Sequence, residues 1–155
     1  MRSPRPDRGE GKRRAIATEG EVAVRLASRE ELEGFAAKEW QRYNAEVGVT
    51  WDSRRYYLLA EVGGLPVGLA AFHLVGGVGH LDQLLVAKEC RGRGLGSRLL
   101  REFERLCRAE GCHKLTLETA EYQARAFYER HGFKVACALR DNKFHYDWHL
   151  MEKGL

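Results

Sequence analysis

The sequence predicts one α/β domain in which helices flank a mixed, mostly antiparallel sheet of six to seven strands. Three observations support this prediction. Apolar and polar side chains alternate in several short segments, apolar residues recur at helical spacing in three others, and glycine-rich turns separate consecutive strand-like segments in the middle of the chain. The resulting order, β-α-β-β-β-α-β-α-β-β, is typical of a mixed sheet rather than a purely parallel one.

The composition is that of a soluble globular protein. The 155 residues are 44% hydrophobic and 31% charged, with no secretory signal and no apolar run near the ~18 residues of a membrane span. The four cysteines form no CxxC pair, which favours structural thiols in a reduced compartment over a disulfide framework or a zinc site. We therefore expect a cytoplasmic protein with no membrane partner and no metal.

The positive charge is confined to the N-terminus. Residues 1–14 contain six basic and two acidic side chains, which account for the whole net charge of +4, so the rest of the chain is formally neutral. We expect residues 1–20 to form a disordered basic tail and residues 21–155 to form a single domain. Nucleic acid could contact the tail only, because the neutral body offers no basic face.

The first half of the chain predicts four strands and two helices. Alternation at Val22, Val24 and Leu26 predicts a first strand, and Ser28 is placed to cap a helix that ends near Trp40 or Tyr43. Glycine-rich turns then separate three strands, and a second helix begins near Leu95. The predicted strands of this half are residues 21–26, 56–62, 67–75 and 80–87.

The second half repeats the alternation of strands and helices. A short strand over residues 114–119 precedes a helix over 122–131, which Gly132 ends. Two further strands are predicted over residues 133–139 and 145–151. No internal repeat is visible, so we interpret the chain as a single unit of fold.

A glycine-rich turn lies between the fourth predicted strand and the second predicted helix. Backbone N–H groups and the helix dipole make such a position an anion site, and small residues let a phosphate approach the backbone. The turn lacks the GK[ST] ending of a nucleoside-triphosphatase loop, and no acidic residue is placed to hold a ribose in the dinucleotide manner. Basic residues that suit a ligand with several phosphates surround the turn: Lys88, Arg91, Arg93 and Arg98.

Two motifs resemble the GNAT superfamily of acyl-CoA-dependent N-acyltransferases. Residues 91–96, Arg-Gly-Arg-Gly-Leu-Gly, match its [RQ]-x-x-G-x-[GA] pyrophosphate loop and follow Asp-Gln-Leu-Leu-Val at residues 82–86. Residues 126–133, Ala-Phe-Tyr-Glu-Arg-His-Gly-Phe, are similar to its late helix, which carries a tyrosine and turns at Gly-Phe. The resemblance covers residues 21–153 and leaves the tail out.

The resemblance implies acetyl-CoA, or another acyl-CoA, as the donor. The family fold separates the fourth and fifth strands, so a bulge near Leu85 leaves backbone groups free for the pantetheine and offers an amide to the thioester carbonyl. Where relatives carry Asn-x-x-Ala, this chain has Glu121 and Gln123, and Gln123 substitutes as the amide donor. The implied cofactor-binding residues are Leu84, Leu85, Val86, Arg91, Gly92, Arg93, Gly94, Leu95, Gly96, Ser97, Gln123 and Tyr128.

Attack on a thioester requires a neutral amine and a proton donor for the departing sulfur. Tyr128 is the acid candidate, because a phenol with a pKa of about 10 keeps its proton at neutral pH. His80 and Asp82 are the two candidates for the base, since residues two apart on a strand share a face and relatives carry bases at these positions. The sequence leaves the choice between them open.

Acceptor recognition in the family comes from the early helices, their connection and the last strand pair. The corresponding residues predict an aromatic pocket for a small-molecule or protein amine, with core packing as the alternative: Trp40, Tyr43, Trp51, His73 and Tyr146. The leading hypothesis is thus an N-acetyltransferase that works by direct attack in a ternary complex. A catalytically silent module that binds or senses acyl-CoA is the alternative, and a homodimer stays open.

Overall fold

The computed structural model describes residue 22, residues 24–140 and residues 143–155. These residues divide into two compact units, one ending at Gly48 and one from Val49 to Leu155. The predicted tail, residues 1–20, lies outside the described residues. In the part of the chain that is described, no helix is both long enough and apolar enough to cross a membrane.

The first unit contains one helix, α1 (Arg29–Glu46). Its capping box is complete, because Glu31 N donates to Ser28 Oγ (3.3 Å) and Ser28 N donates to Glu31 Oε2 (2.8 Å). The predicted first strand is wrong over its described residues, since Val24 and Leu26 have no strand conformation and pair with no described strand. Alternation of side chains without a neighbouring strand edge does not make a strand.

The second unit is a six-stranded sheet with two α-helices and one short 3-10 helix, Lys88–Cys90. The strand order across the sheet is β1-β2-β3-β4-β6-β5, with one parallel pair, β3 and β4. The fold class predicted from the sequence is therefore confirmed. The remaining elements are β1 (Ser53–Val62), β2 (Leu65–Val75), β3 (Val78–Val86), α2 (Leu95–Ala109), β4 (Lys114–Ala120), α3 (Arg125–Arg130), β5 (Lys134–Leu139) and β6 (Trp148–Gly154).

Two tight turns connect β1, β2 and β3 into an antiparallel meander. Gly63 and Gly64 both adopt positive φ angles, 58° and 79°, as a two-residue hairpin turn requires. The turn at Gly76 and Gly77 is of the same kind. The predicted strands were correct here because the turn residues fix the hairpins locally.

Helix α2 packs on one face of the sheet and builds the core. The rings of Phe72 on β2 and Phe103 on α2 lie 4.9 Å apart, and Tyr56 stacks on the other side of Phe72 at 5.2 Å. Burial of aromatic side chains stabilises the helix–sheet interface. The largest fully buried side chains also include Leu100, Leu115, Leu117, Phe133 and Met151.

Two predicted boundaries in the second half are wrong. Helix α3 begins at Arg125, because residues 121–124 form turns. Strand β6 begins at Trp148 rather than His145, whose φ of 60° is incompatible with an extended strand. The functional consequence is that Gln123 and Tyr122 lie in a turn at the end of β4 and not on a helix.

Candidate active site

Strands β3 and β4 separate halfway along their length. They pair in parallel only from Val78 with Lys114 to Leu81 with Leu117. Beyond these residues β3 stays paired with β2, and β4 stays paired with β6. Both strands therefore turn unpaired backbone edges toward each other beyond Leu81 and Leu117, and we call this point the fork.

A β-bulge lies at the fork. Ala71 is opposite Gln83 and Phe72 is opposite Leu81, so Asp82 is an extra residue without a partner on β2. The expected position near Leu85 is wrong, because Leu84 and Leu85 keep regular pairing with Ala70 and Leu69. The bulge turns the chain away from β4 at the residue where the parallel pairing ends.

The fork opens into a cleft of about 850 Å³. The cleft lining contains one basic residue, Arg91, and two acidic residues, Asp82 and Glu118. Six of the predicted cofactor-binding residues line the cleft: Leu84, Leu85, Val86, Arg91, Gln123 and Tyr128. The lining consists of Leu81, Asp82, Gln83, Leu84, Leu85, Val86, Arg91, Glu118, Thr119, Tyr122, Gln123, Ala124 and Tyr128.

The glycine-rich turn borders this cleft at the beginning of α2. Gly94 caps the helix with a φ of 75°, and no side chain bonds to the first-turn amides, so those N–H groups stay available to an anion. A Cβ on Gly96 would lie 3.5 Å from Phe127 and 3.9 Å from Val86, which places this glycine beside the cleft. Arg91 Nε donates to Val86 O at 3.0 Å and holds the turn against the end of β3.

Tyr128 on α3 is buried, with 7% of its surface exposed, and lines the cleft. Its ring contacts Phe127 and Phe133, with centroids 5.1 and 5.9 Å away. Burial raises the pKa of the Tyr128 hydroxyl to about 12, so this group stays protonated at neutral pH. None of the described residues makes a hydrogen bond to the hydroxyl, which leaves it free to donate into the cleft.

Gln123 folds back on the end of β4. Its Oε1 accepts from Ala120 N at 3.0 Å, which points the amide group at the cleft wall. The Nε2 hydrogens of Gln123 then remain as donors. Glu121 instead accepts from the backbone of Asp147 at 3.4 Å.

A polar group lies at the fork on the sheet face opposite α2. Asp82 accepts from Arg55 Nη1 at 3.2 Å and lies 3.0 Å from His73 Nδ1. His80 Nδ1 lies 2.8 Å from Thr116 Oγ1, and the His73 and His80 rings are 5.2 Å apart. Burial, and then the neighbouring His73, lower the pKa of His80 below its ordinary 6.5, so its imidazole is neutral at pH 7.

The sequence analysis named His80 and Asp82 as the two candidates for the base. In the structure the two side chains have different surroundings. Asp82 lines the cleft but has a guanidinium and an imidazole as partners. His80 is not among the residues that line the cleft, and its Nε2 makes no hydrogen bond to any described residue. Among the described residues, no group of histidine, cysteine or acidic side chains is arranged to hold a metal ion.

Glu118 was missed by sequence reasoning. It lines the cleft, and its Oε2 accepts from the indole Nε1 of Trp148 at 2.7 Å. Glu118 lies two residues after Thr116 on β4, so the two side chains share a face of the strand, and Thr116 contacts His80. This spacing was the feature of the sequence that could have identified Glu118. The strand pairing that brings Trp148 beside it joins residues 30 positions apart and has no local signature.

The predicted acceptor residues are distributed over both units. Trp40 and Tyr43 contact each other on α1, 5.8 Å between ring centroids, in the first unit. Trp51 packs against Gly76, at the far end of β3 from the fork, while His73 contacts Asp82. Tyr146 packs against the cleft residue Tyr122 at 4.9 Å. His73 and Tyr146 are thus the predicted acceptor residues of the second unit nearest the cleft.

Comparison with known proteins gives the chain's family. The model of the Acetyltransferase (GNAT) family matches residues 24–133. A blasticidin-S acetyltransferase of Streptomyces morookaense is 40% identical over 77 residues, 49% of this chain and 57% of that protein. A glucosamine 6-phosphate N-acetyltransferase of Trypanosoma brucei brucei is 37% identical over 58 residues, 37% of this chain and 39% of that protein. The chain thus spans well under two thirds of these relatives.

A solved structure shares nearly the whole fold. The crystal structure of an acetyltransferase from Bacillus cereus ATCC 14579 superposes with a TM-score of 0.78 and 27% identity, over 86% of this chain and 98% of that one. The family match includes the fork, the glycine-rich turn and Tyr128. With the family model covering more than half of its residues, the chain belongs to the GNAT acetyltransferase family.

Proposed function

We propose that the chain is an N-acetyltransferase that transfers the acetyl group of acetyl-CoA to a primary amine in a ternary complex. The observation that carries the proposal is the fork. It gives a cleft with an unpaired strand edge on one wall, a buried tyrosine hydroxyl on the other and an anion-binding turn beside it.

The cleft residues fit an extended ligand with a pyrophosphate. Leu84, Leu85 and Val86 offer a free strand edge to the pantetheine amides, and a peptide-like ligand completes such an edge. Residues 92–97 offer backbone amides to the pyrophosphate, since Arg91 N already donates to Lys88 O at 3.4 Å, and Gln123 offers a side-chain amide to the cofactor. Acetyl-CoA supplies an acetyl group already activated as a thioester.

Tyr128 acts as the acid. As the carbon–sulfur bond breaks, its hydroxyl gives a proton to the sulfur and is later reprotonated from solvent. A pKa of about 12 keeps this proton in place until the sulfur carries negative charge. The bulge leaves Asp82 without a partner on β2, and we assign its backbone N–H group to stabilising the charge that develops on the carbonyl oxygen.

His80 acts as the base, through one water molecule. Its lowered pKa makes the imidazole neutral at pH 7, and Nε2 is the nitrogen that takes the amine proton as the carbon–nitrogen bond forms. Asp82 is the second candidate, because it lines the cleft directly. Its carboxylate is already engaged by the Arg55 guanidinium at 3.2 Å and by His73 Nδ1 at 3.0 Å, whereas Nε2 of His80 has no partner among the described residues.

The acceptor is a small-molecule or protein amine. The names of the two relatives reported above refer to different acceptors, so neither acceptor is carried over to this chain. His73 and Tyr146 contribute to the acceptor side of the cleft through Asp82 and Tyr122. Trp40, Tyr43 and Trp51 stay predicted acceptor residues.

The proposal is tested by calorimetry with acetyl-CoA followed by a screen of amines that reads free thiol and product mass. Gly96→Val is the matched variant, because its Cβ meets Phe127 and Val86 at ordinary contact distances while the larger side chain blocks approach to the turn. We expect Gly96→Val to abolish binding in a folded protein. Binding without acceptor-dependent thiol release by the wild type would support the silent acyl-CoA module instead.

A further inference from the structure

The fork carries two carboxylates, one on each strand. Asp82 and Glu118 are the first residues beyond the last parallel pair, Leu81 and Leu117, and both line the cleft. They are equivalent in position but differ in what surrounds them.

The difference is one of charge. Arg55 lies 3.2 Å from Asp82, so its guanidinium compensates that carboxylate. Glu118 accepts a hydrogen bond from the Trp148 indole, which carries no charge. Over the part of the chain that the structure describes, no basic side chain forms an ion pair with Glu118. Its negative charge is therefore directed at whatever enters the cleft.

The second carboxylate oxygen of Glu118, Oε1, makes no hydrogen bond to any described residue. Trp148 uses Oε2, and a carboxylate has acceptor sites on both oxygens. The short indole bond of 2.7 Å fixes the carboxylate plane without neutralising it. Trp148 in turn is held by the pairing of β6 with β4 opposite Ala120, so the arrangement belongs to the sheet and not to a loop.

We infer that Glu118 is the acceptor-binding residue of the cleft and that it receives an alkylammonium group through Oε1. The inference rests on the proposed function and narrows its acceptor class. An aliphatic amine is a cation at neutral pH, with a pKa near ~10.4, and a partly exposed carboxylate on a cleft wall selects it over a hydroxyl compound or an aromatic amine. Bound there, the nitrogen lies at the fork, near the imidazole of His80.

Trp148 is a positioning residue, because it acts on the acceptor only through Glu118. Replacement by phenylalanine keeps an aromatic ring on β6 and removes the N–H donor. The carboxylate then keeps its charge but loses its fixed orientation, so the effect on amine affinity is expected to be smaller than that of removing the charge.

The test measures binding of benzylamine and of its neutral isostere benzyl alcohol to the full-length protein saturated with coenzyme A, by NMR titration at pH 7. We expect the wild type to bind benzylamine more tightly, and high salt to reduce the difference. Glu118→Gln should weaken benzylamine binding at least ~10-fold, the effect of losing ~1.4 kcal/mol, and leave benzyl alcohol unchanged. Trp148→Phe should weaken benzylamine binding by about 3-fold.

Glu152→Gln is the matched control. Glu152 lies on β6 and pairs with Lys114 at 2.9 Å, outside the cleft lining, so its variant should bind both probes as the wild type does. Equal affinity of the wild type for the two probes, or unchanged benzylamine binding by Glu118→Gln, would overturn the inference. Either result is separable from failure of the proposed function, which appears as absent coenzyme A binding before any amine is added.

Discussion

His131 Nε2 lies 2.9 Å from Ser97 Oγ and joins α3 to the first turn of α2. The other ring nitrogen, Nδ1, lies 2.8 Å from the carbonyl oxygen of Phe127, which can only accept a hydrogen bond. Nδ1 therefore carries a hydrogen, and in that tautomer Nε2 accepts a hydrogen bond from the Ser97 hydroxyl. The Ser97 hydroxyl is thus used within the protein, and its backbone N–H is what remains for a phosphate.

Ser97→Ala tests this reading of the cofactor turn. We expect the variant to bind acetyl-CoA with a dissociation constant within about threefold of wild type, because the backbone amide is retained. It should lose about 1 kcal/mol of unfolding free energy with the hydrogen bond to His131. Calorimetry and urea denaturation measure the two quantities. A large loss of affinity with unchanged stability would show instead that the hydroxyl contacts the ligand.

Tyr128→Phe tests the acid. The substitution removes one oxygen and keeps the ring between Phe127 and Phe133, so stability and acetyl-CoA affinity should barely change. The value of kcat should fall by ~10²–10⁴-fold, the range of a positioned proton transfer. Steady-state kinetics under conditions where chemistry limits the rate measure it. Wild-type turnover would assign protonation of the sulfur to water.

The pH profile identifies the base. His80 has a pKa below its ordinary 6.5, so the midpoint of the acidic fall in kcat/KM, where the imidazole gains a proton, should lie below pH 6.5. His80→Gln should lower the rate most near neutral pH and less at high pH, where the amine loses its proton unaided.

Asp82→Asn separates the two base candidates. The charge of Asp82 raises the pKa of His80, so its removal should shift the acidic limb further toward low pH while much of the rate remains. Loss of the rate at every pH, with the protein still folded, would identify Asp82 as the base. The charge of Glu118 also raises the pKa of His80, so Glu118→Gln should likewise shift the acidic limb of the pH profile toward lower pH.

Gly79→Ala tests the contact between β3 and α2. A Cβ at Gly79 would collide with the sulfur of Cys107 and lie 3.1 Å from Leu115, so the variant should lose about 1–3 kcal/mol of unfolding free energy. In Gly79→Ala/Cys107→Ala the sulfur is gone, and the combined loss should be smaller than the sum of the single losses by at least ~0.5 kcal/mol. Gly154→Ala, whose Cβ has no neighbour within 4 Å, is the control. Urea denaturation of the wild type and of the four variants, Cys107→Ala alone among them, measures these losses.

Local signals determined much of the fold. The glycine pair at Gly63 and Gly64 predicted a hairpin, and the helical spacing of apolar residues from Leu95 onward predicted a helix. Both signals are local in sequence, and the structure contains both the hairpin and α2. The glycine-rich turn was predicted at the beginning of a helix, and Gly94 caps that helix. Where the local pattern had no strand edge to pair with, as at Val24 and Leu26, the predicted strand did not form.

The sequence by itself determined the kinds of element and the glycine-rich turn, because periodicity and turn chemistry are local properties. Its resemblance to the GNAT superfamily supplied the candidates Tyr128, His80 and Asp82. Only the tertiary structure decided that the bulge lies at Asp82, that Arg55 compensates this carboxylate, and that Glu118 meets the indole of Trp148. These relationships depend on strand register and on pairing between distant segments. Nonlocal packing sets both, so no short window of residues encodes them.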